Sequence, residues 1–216
     1  MLVAFCGKMG SGKDTFGAQF KKLHPKAVKM SFAGPLKMEL LSFIYCLKND
    51  IDNVKKIYNI NQGTLDEVLE IMGGIEEVNS IDIKHKDAKV RKLLQYWGGM
   101  RRKQDPNYWI KAMKNNIESE SAKNIYITDA RFLNEFKMIK ELGGILIFLD
   151  TDINTVKNRI YKRDGIIPSE EALNDVSEKE CELYNDYDYV IDTSHIQKKD
   201  IKKKLKQILE NEDSAN

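Results

Sequence analysis

The sequence predicts an α/β fold, a P-loop-bearing sheet of five strands, doubly wound and mostly parallel, and three observations carry that expectation. Apolar runs of strand length occur at Leu2 to Cys6, Ala27 to Phe32, Asn124 to Thr128, Ile145 to Leu149 and Tyr189 to Ile191. Segments with apolar residues at helical spacing separate them. The first run leads directly into G-x-x-x-x-G-K at Gly7 to Lys13, after which Phe16, Phe20 and Leu23 recur as one helix face.

That strand, loop and helix define the first candidate site. Glycines at 7, 10 and 12 let successive backbone N–H groups curl around a polyphosphate without Cβ clashes, and the helix N-terminus adds its own unpaired donors. The expected ATP-binding set is Gly7, Lys8, Met9, Gly10, Ser11, Gly12, Lys13, Asp14 and Thr15. Lys13 is the first catalytic candidate, a mobile point charge reaching the β- and γ-phosphates. Asp14 stands where a Mg²⁺-binding hydroxyl commonly sits, and the hydroxyl comes one residue later at Thr15. A carboxylate at Asp14 suits the positive helix end, and the metal is then expected to be held partly through water, with Thr15 a phosphate or Mg²⁺ contact.

With 216 residues, 42% hydrophobic and 31% charged, the chain is expected to form one α/β domain with an insertion, and a disordered chain is excluded. No window approaches the roughly 20 apolar residues of a membrane span, and no charged leader precedes the first strand, so a cytoplasmic location without membrane contact is expected. Cys6, Cys46 and Cys181 are scattered and odd in number, which favours free thiols, and His24, His85 and His195 have no metal-ligand spacing. A net charge of +2 does not call for a nucleic-acid partner, and the basic run Lys198 to Lys206 reads as the solvated face of a terminal helix.

After Ala33-Gly34-Pro35 a helix carries Leu36, Leu40, Phe43 and Leu47, with Lys37 on its first turn, either positioned for a phosphate or simply solvated. Lys48 to Gly63 is polar and without clear structure. Thr64-x-x-Glu67 has the form of a capping box and opens a helix that Gly73-Gly74 ends. Ile75 to Asp87 has no periodicity. Val90, Leu93, Leu94 and Trp97 share a helical face expected to stop at Gly98-Gly99, while Arg91 and Gln95 share another, suited to a phosphate and a base or to solvent. Asp105-Pro106 signals a further helix start ahead of Trp109, Ala112, Met113 and Ile117.

The third apolar run ends in Asp129-Ala130-Arg131. An acid at a strand's carboxyl end beside a phosphate loop is where water-mediated Mg²⁺ binding is expected, and the Arg131 guanidinium would clamp a phosphate in the same crevice. The alternative is an Asp129 that merely caps the following helix. Arg159 and Arg163, four apart before the polar stretch Asp164 to Asp188, suit a closing lid or a solvated helix end.

Six stretches together resemble one family, the deoxynucleoside monophosphate kinases of tailed bacteriophages. They are GKMGSGKDT at Gly7 to Thr15, AGPLK at Ala33 to Lys37, RKLLQYWG at Arg91 to Gly98, DPNYW at Asp105 to Trp109, ITDAR at Ile127 to Arg131 and YDYVIDTS at Tyr187 to Ser194. The resemblance implies a P-loop kinase fold over residues 1–216, with a core of 1–47, 124–158 and 187–210, a monophosphate-binding helical region of about 48–123 and a lid of about 159–186. It implies ATP with Mg²⁺ as donor and a deoxynucleoside monophosphate (dNMP) as acceptor, in the host cytoplasm if the chain is phage-encoded, and leaves a homodimer open. It assigns Lys37, Arg91, Gln95, Gly98, Trp109, Asp129 and Arg131 to the acceptor pocket, and in the transfer so implied Lys13, Arg131 and the lid candidates Arg159 and Arg163 are expected to supply the positive charge. The chain departs from the pattern at Gly99, where Thr is expected, and at Asp175-Val176 ahead of Ser177-Glu178, where His is expected. A kinase for dephospho-coenzyme A or phosphomevalonate, and a P-loop ATPase or GTPase switch, are the alternatives. No N-K-x-D guanine signal occurs, and no acid after Asp129 is placed to orient water.

Overall fold

In the structure, a computed structural model that describes residues 1–83, 87–173 and 176–215, strands and helices alternate through the first and last parts of the chain. In chain order the elements are β1 (Leu2–Cys6), α1 (Lys13–Leu23), β2 (Val28–Met30), α2 (Ala33–Asn49), α3 (Ile51–Tyr58), α4 (Gln62–Met72), α5 (Ala88–Gln104) and α6 (Tyr108–Ser119). There follow β3 (Ile125–Ile127), α7 (Leu133–Glu141), β4 (Ile145–Asp150), α8 (Ile153–Asp164), α9 (Glu170–Leu173), α10 (Val176–Leu183), β5 (Tyr189–Asp192) and α11 (Lys198–Ala215). His85, Asp175 and the side chains of Val176 and Ser177 lie outside the described residues.

The chain divides into two compact units, one of residues 1–31 and 114–216, the other of residues 32–113. The first holds the sheet, ordered β2-β3-β1-β4-β5, with every neighbouring pair parallel. The α/β class with five parallel strands is therefore as the apolar runs predict. β1 lies at the centre, with Val3 opposite Tyr126 on one side and Ile145 on the other, and all five of its residues are buried. A strand covered on both faces has no polar side to show, which is why β1 and β4 read as unbroken apolar runs. Phe5, Phe16, Phe20, Ile147, Leu149, Ile191 and Leu205 form the core between the sheet, α1 and α11.

Helix α1 approaches the sheet closely at Gly17, where an added Cβ would lie 2.7 Å from Thr128 Cγ2 and 2.9 Å from the Tyr126 ring. Gly17→Ala is therefore expected to lower stability. An overpacking cost of about 1–3 kcal/mol exceeds the roughly 1 kcal/mol of helix propensity that alanine brings. Urea denaturation reads the difference, and a variant more stable than the parent would contradict the close approach.

The second unit is helical. Leu40, Phe43, Leu47, Val54, Leu65, Val68, Met72, Leu93, Trp97 and Trp109 make its core. A buried polar knot lies within it. Glu39 Oε1 accepts from Trp97 Nε1 at 3.0 Å and from Arg101 Nε at 2.6 Å, while Oε2 accepts from the Tyr108 hydroxyl at 2.6 Å. Burial and the bond to Glu39 push the Tyr108 hydroxyl up to about 12. The Arg101 guanidinium also lies over the Trp97 and Tyr108 rings, 5.2 and 5.1 Å from their centroids.

Several sequence expectations are corrected here. Helix α5 does not stop at Gly98-Gly99 but runs on to Gln104, because Gly98 keeps helical geometry and its missing side chain admits Leu36 of α2, 3.2 Å from where a Cβ would sit. Thr64 and Glu67 form no capping box. Asn61 caps α4 instead, its side chain accepting from Thr64 N at 2.8 Å, and Gly73 ends the helix in left-handed geometry as expected. The polar Lys48 to Gly63 stretch contains α3, and residues 76–80 form a 3₁₀ turn. Asp105 does not start α6; its carboxylate accepts from Asn107 N at 2.9 Å in a turn, and the helix begins at Tyr108. α2 packs its apolar face in the helical unit. Among the described residues no helix is long and apolar enough to cross a membrane.

Candidate functional site

The phosphate loop joins β1 to α1, and its geometry explains its glycines. Gly7, Gly10 and Gly12 have φ of 132°, 75° and 102°, a region where a side chain would be strained, and a Cβ on Gly7 would lie 2.6 Å from the Leu149 carbonyl oxygen. Lys13 Nζ folds back over the loop, donating to Gly7 O at 2.5 Å and Lys8 O at 2.6 Å. Burial lowers the Lys13 pKa and the positive charge of Arg131 lowers it further, with Glu178 pulling the other way. An incoming anion would offset that burial by supplying the opposite charge beside the ammonium. Ser11 Oγ is fully buried with no hydrogen-bond partner among the described residues, a polar atom on the same loop that remains to be satisfied.

Asp14 points away from that task. Its Oδ1 accepts from Lys29 Nζ at 2.8 Å and Thr128 Oγ1 at 2.9 Å, so it ties the start of α1 to β2 and to the end of β3. Burial pushes its carboxyl up, but these two donors outweigh it and the net shift is downward. At the end of β3, Asp129 Oδ2 accepts from Ser31 Oγ at 2.7 Å. Asp129 is not the cap of the next helix. Glu135 Oε2 reaches back to take the N–H groups of Arg131 and Phe132, at 2.7 and 3.2 Å, and so fixes the backbone at Arg131. Among the described residues no cluster of three or more His, Cys, Asp or Glu side chains has metal-binding geometry. The cysteines described are free, with Cys6 and Cys181 buried.

Two helices of the expected lid lie against the loop. α8 packs Val156 and Ile160 beside Met9 and Gly10. One residue before Ile160, Arg159 spreads its guanidinium over backbone oxygens. Nη1 donates to Gly10 O at 3.2 Å, Ser11 O at 3.3 Å and Thr193 Oγ1 at 3.3 Å, and Nη2 to Thr193 O at 2.6 Å. Arg159 is thus a brace behind the loop instead of the lid arginine expected, and Arg163, one turn on and beyond the apolar contact, pairs with Asp164 at 2.7 Å on the exposed surface. Arg131 Nη1 donates to Glu178 Oε1 of α10 at 2.6 Å, and 36% of the Arg131 side chain is exposed. Sequence reasoning missed Glu178, Cys181 and Thr193 as parts of the site. Their partners lie far along the chain, with Met9 and Glu178 separated by 169 residues, and local spacing carries no trace of such pairs.

In the helical unit the expected acceptor residues divide. Arg91 and Gln95 are exposed on α5 and Lys37 is half-buried on α2. Gln95 and Gly99 border a cavity of about 450 Å³ together with Thr64, Glu67, Tyr96 and Lys103. Nothing lies within 4 Å of where a Cβ on Gly99 would sit, so the absent threonine leaves open space. Gly98 and Trp109 are corrected to packing positions. Gly98 is buried at the α2 contact, and Trp109 is 3% exposed with its indole N–H donating to the Gly98 carbonyl at 3.2 Å.

No known family model matches the chain, and no curated protein matches it. Among solved structures it is similar to TT1252 from Thermus thermophilus, at 14% identity and a TM-score of 0.53, covering 98% of this chain and 97% of that one. It also aligns with a sugar kinase from Janibacter, at 14% identity, a TM-score of 0.48 and coverage of 97% and 94%, and with shikimate kinase from Aquifex aeolicus, at 13% identity, a TM-score of 0.45 and 100% of both chains. At such identity the likeness to TT1252 speaks for the fold alone.

Proposed function

We propose that the chain transfers the γ-phosphoryl group of ATP to the phosphate of a deoxynucleoside 5′-monophosphate, giving a deoxynucleoside diphosphate (dNDP) and ADP. The observation that carries the phosphoryl-transfer reading is the pair of cations at the loop. Lys13 Nζ sits over the phosphate loop, and Arg131 is tied to the same loop through Glu178, which also accepts from Met9 N. The resemblance supplies the acceptor class.

A polyphosphate fits this loop chemically. It would take the N–H groups of Gly10 and Gly12 and the orphaned Ser11 hydroxyl, and would draw Lys13 Nζ off the Gly7 and Lys8 carbonyls. Thr15 and Asp129 are the residues that would hold Mg²⁺ through water, where the ion would supply positive charge to the phosphates. Asp14 Oδ1 is engaged by Lys29 and Thr128.

The acceptor oxygen is already anionic near neutral pH, so no strong general base is required. The protein has to bring two repelling phosphates into line and neutralise them. Lys13 serves the donor side. Arg131 is assigned to the acceptor phosphate and the γ-phosphate, while Arg159 serves by holding the loop. A coupled ADP-release assay with a panel of dNMPs and the matching ribonucleotides tests the reading. At least one dNMP is expected to raise ADP release by about tenfold or more over ATP alone, since positioned transfer outruns adventitious hydrolysis. Release unaffected by every monophosphate would contradict it.

A further inference from the structure

Helix α10 presents one face to the phosphate loop. Glu178, Cys181 and Glu182 stand at i, i+3 and i+4, and each meets the loop or the segment after β3. Glu178 Oε2 accepts from Met9 N at 2.6 Å while its Oε1 takes Arg131 Nη1 at 2.6 Å. Cys181 Sγ accepts from the Gly7 amide and donates to the Arg131 carbonyl at 3.6 Å. Glu182 pairs with Lys8 at 2.6 Å. The Glu182 pair is partly exposed, and such pairs contribute little. Glu178 differs because its side chain is only 2% exposed, so its charge must be matched where it stands.

We propose that Glu178 is a positioning residue that holds Arg131 and the phosphate loop in one arrangement through α10. A carboxylate has two oxygens at a fixed angle. With one on the Met9 amide, the other can receive the guanidinium only from a narrow range of directions, so loop and arginine are set relative to each other. Glu135 fixes the Arg131 backbone by its N–H, and Glu178 fixes the head group. The guanidinium is thereby oriented before any phosphate arrives, which reduces the reorganisation left for the reaction. The kinetic part of this proposal rests on the phosphoryl-transfer reading, whereas the contact with Met9 does not.

Glu178→Gln separates the two. The carboxamide has nearly the same shape but replaces one oxygen with an NH₂ donor, so one of the two donors, Met9 N–H on Oε2 or Arg131 Nη1 on Oε1, would face another donor. Two quantities are read on the full chain: hydrogen exchange of the Met9 amide in the protein alone, and kcat for Glu178→Gln in the parent and in the Arg131→Ala background. Exchange at Met9 is expected to quicken by about tenfold or more while the β1 amides keep their protection. The substitution is expected to lower kcat about tenfold in the parent but less than about twofold once Arg131 is gone, with the ATP KM little changed. Glu178→Asp, too short to reach both partners, should not rescue kcat. Unchanged exchange at Met9 would overturn the proposal, and so would equal kcat losses in the two backgrounds. Loss of protection in β1 as well would reduce Glu178 to general stability and overturn it equally. If no monophosphate proves to be an acceptor, the cycle is read on MgATP hydrolysis and Met9 exchange still decides.

Discussion

Lys13→Ala lowers kcat at least about a hundredfold with the fold intact, if the ammonium neutralises charge that develops on the transferring phosphoryl. Lys13 Nζ rests on two carbonyl oxygens of its own loop, Gly7 and Lys8, and has no carboxylate partner there. Carbonyl oxygens bind an ammonium more weakly than phosphate oxygens do, so the resting contacts hold the side chain near its task and release it. Burial and the positive charge of Arg131 both lower the Lys13 pKa, so the ammonium gains from an anion placed beside it. Removing the amine also leaves the two carbonyls partly unpaired, which is why the variant's melting transition must be measured beside its turnover. A folded Lys13→Ala enzyme with near-normal kcat would remove Lys13 from the chemistry.

Arg131→Lys separates a monophosphate kinase from a hydrolase. A hydrolase has no second phosphate to hold, whereas a kinase must bring the acceptor phosphate and the γ-phosphate into line against their repulsion. Lysine keeps the charge but loses the planar fork, so it can pair with Glu178 or with a phosphate and not orient both at once. The expected result is a raised acceptor KM and a lowered kcat, a loss of roughly 2–4 kcal/mol in transition-state binding, with ATP affinity nearly unchanged. Equal damage to ATP binding would place Arg131 on the donor side. An unchanged enzyme would return Arg131 to a purely structural pair with Glu178.

The parts of the molecule that could be read in the sequence are those whose cause is local. Gly7, Gly10, Gly12 and Lys13 are legible because a loop that wraps phosphate needs those residues at that spacing, whatever the rest of the chain does. β1 and β4 are legible because burial on both faces leaves only apolar residues. Elsewhere a local signal had two causes. Gly98-Gly99 reads as a helix stop, yet Gly98 is there so that Leu36 can approach. The resemblance gives Trp109 to the acceptor pocket, but its indole N–H is taken by the Gly98 carbonyl inside the helical unit, where Trp97 N–H meets Glu39. Arg159 reads as a lid cation, and only the packing of Ile160 on Gly10 reveals that its guanidinium faces loop carbonyls. Glu178 lies in a polar stretch with no apolar stripe to orient it, so the residue that joins Met9 to Arg131 could be found only from the structure.

The central claim is that the γ-phosphoryl group passes to another phosphate and not to water. The most direct measurement follows ATP labelled in its γ-phosphate, mixed with each dNMP in turn, and separates the products. The account predicts label in a dNDP, with little in inorganic phosphate, and a label transfer that falls with Arg131→Lys while ATP still binds. Label recovered only as inorganic phosphate, at a rate no dNMP alters, would contradict it.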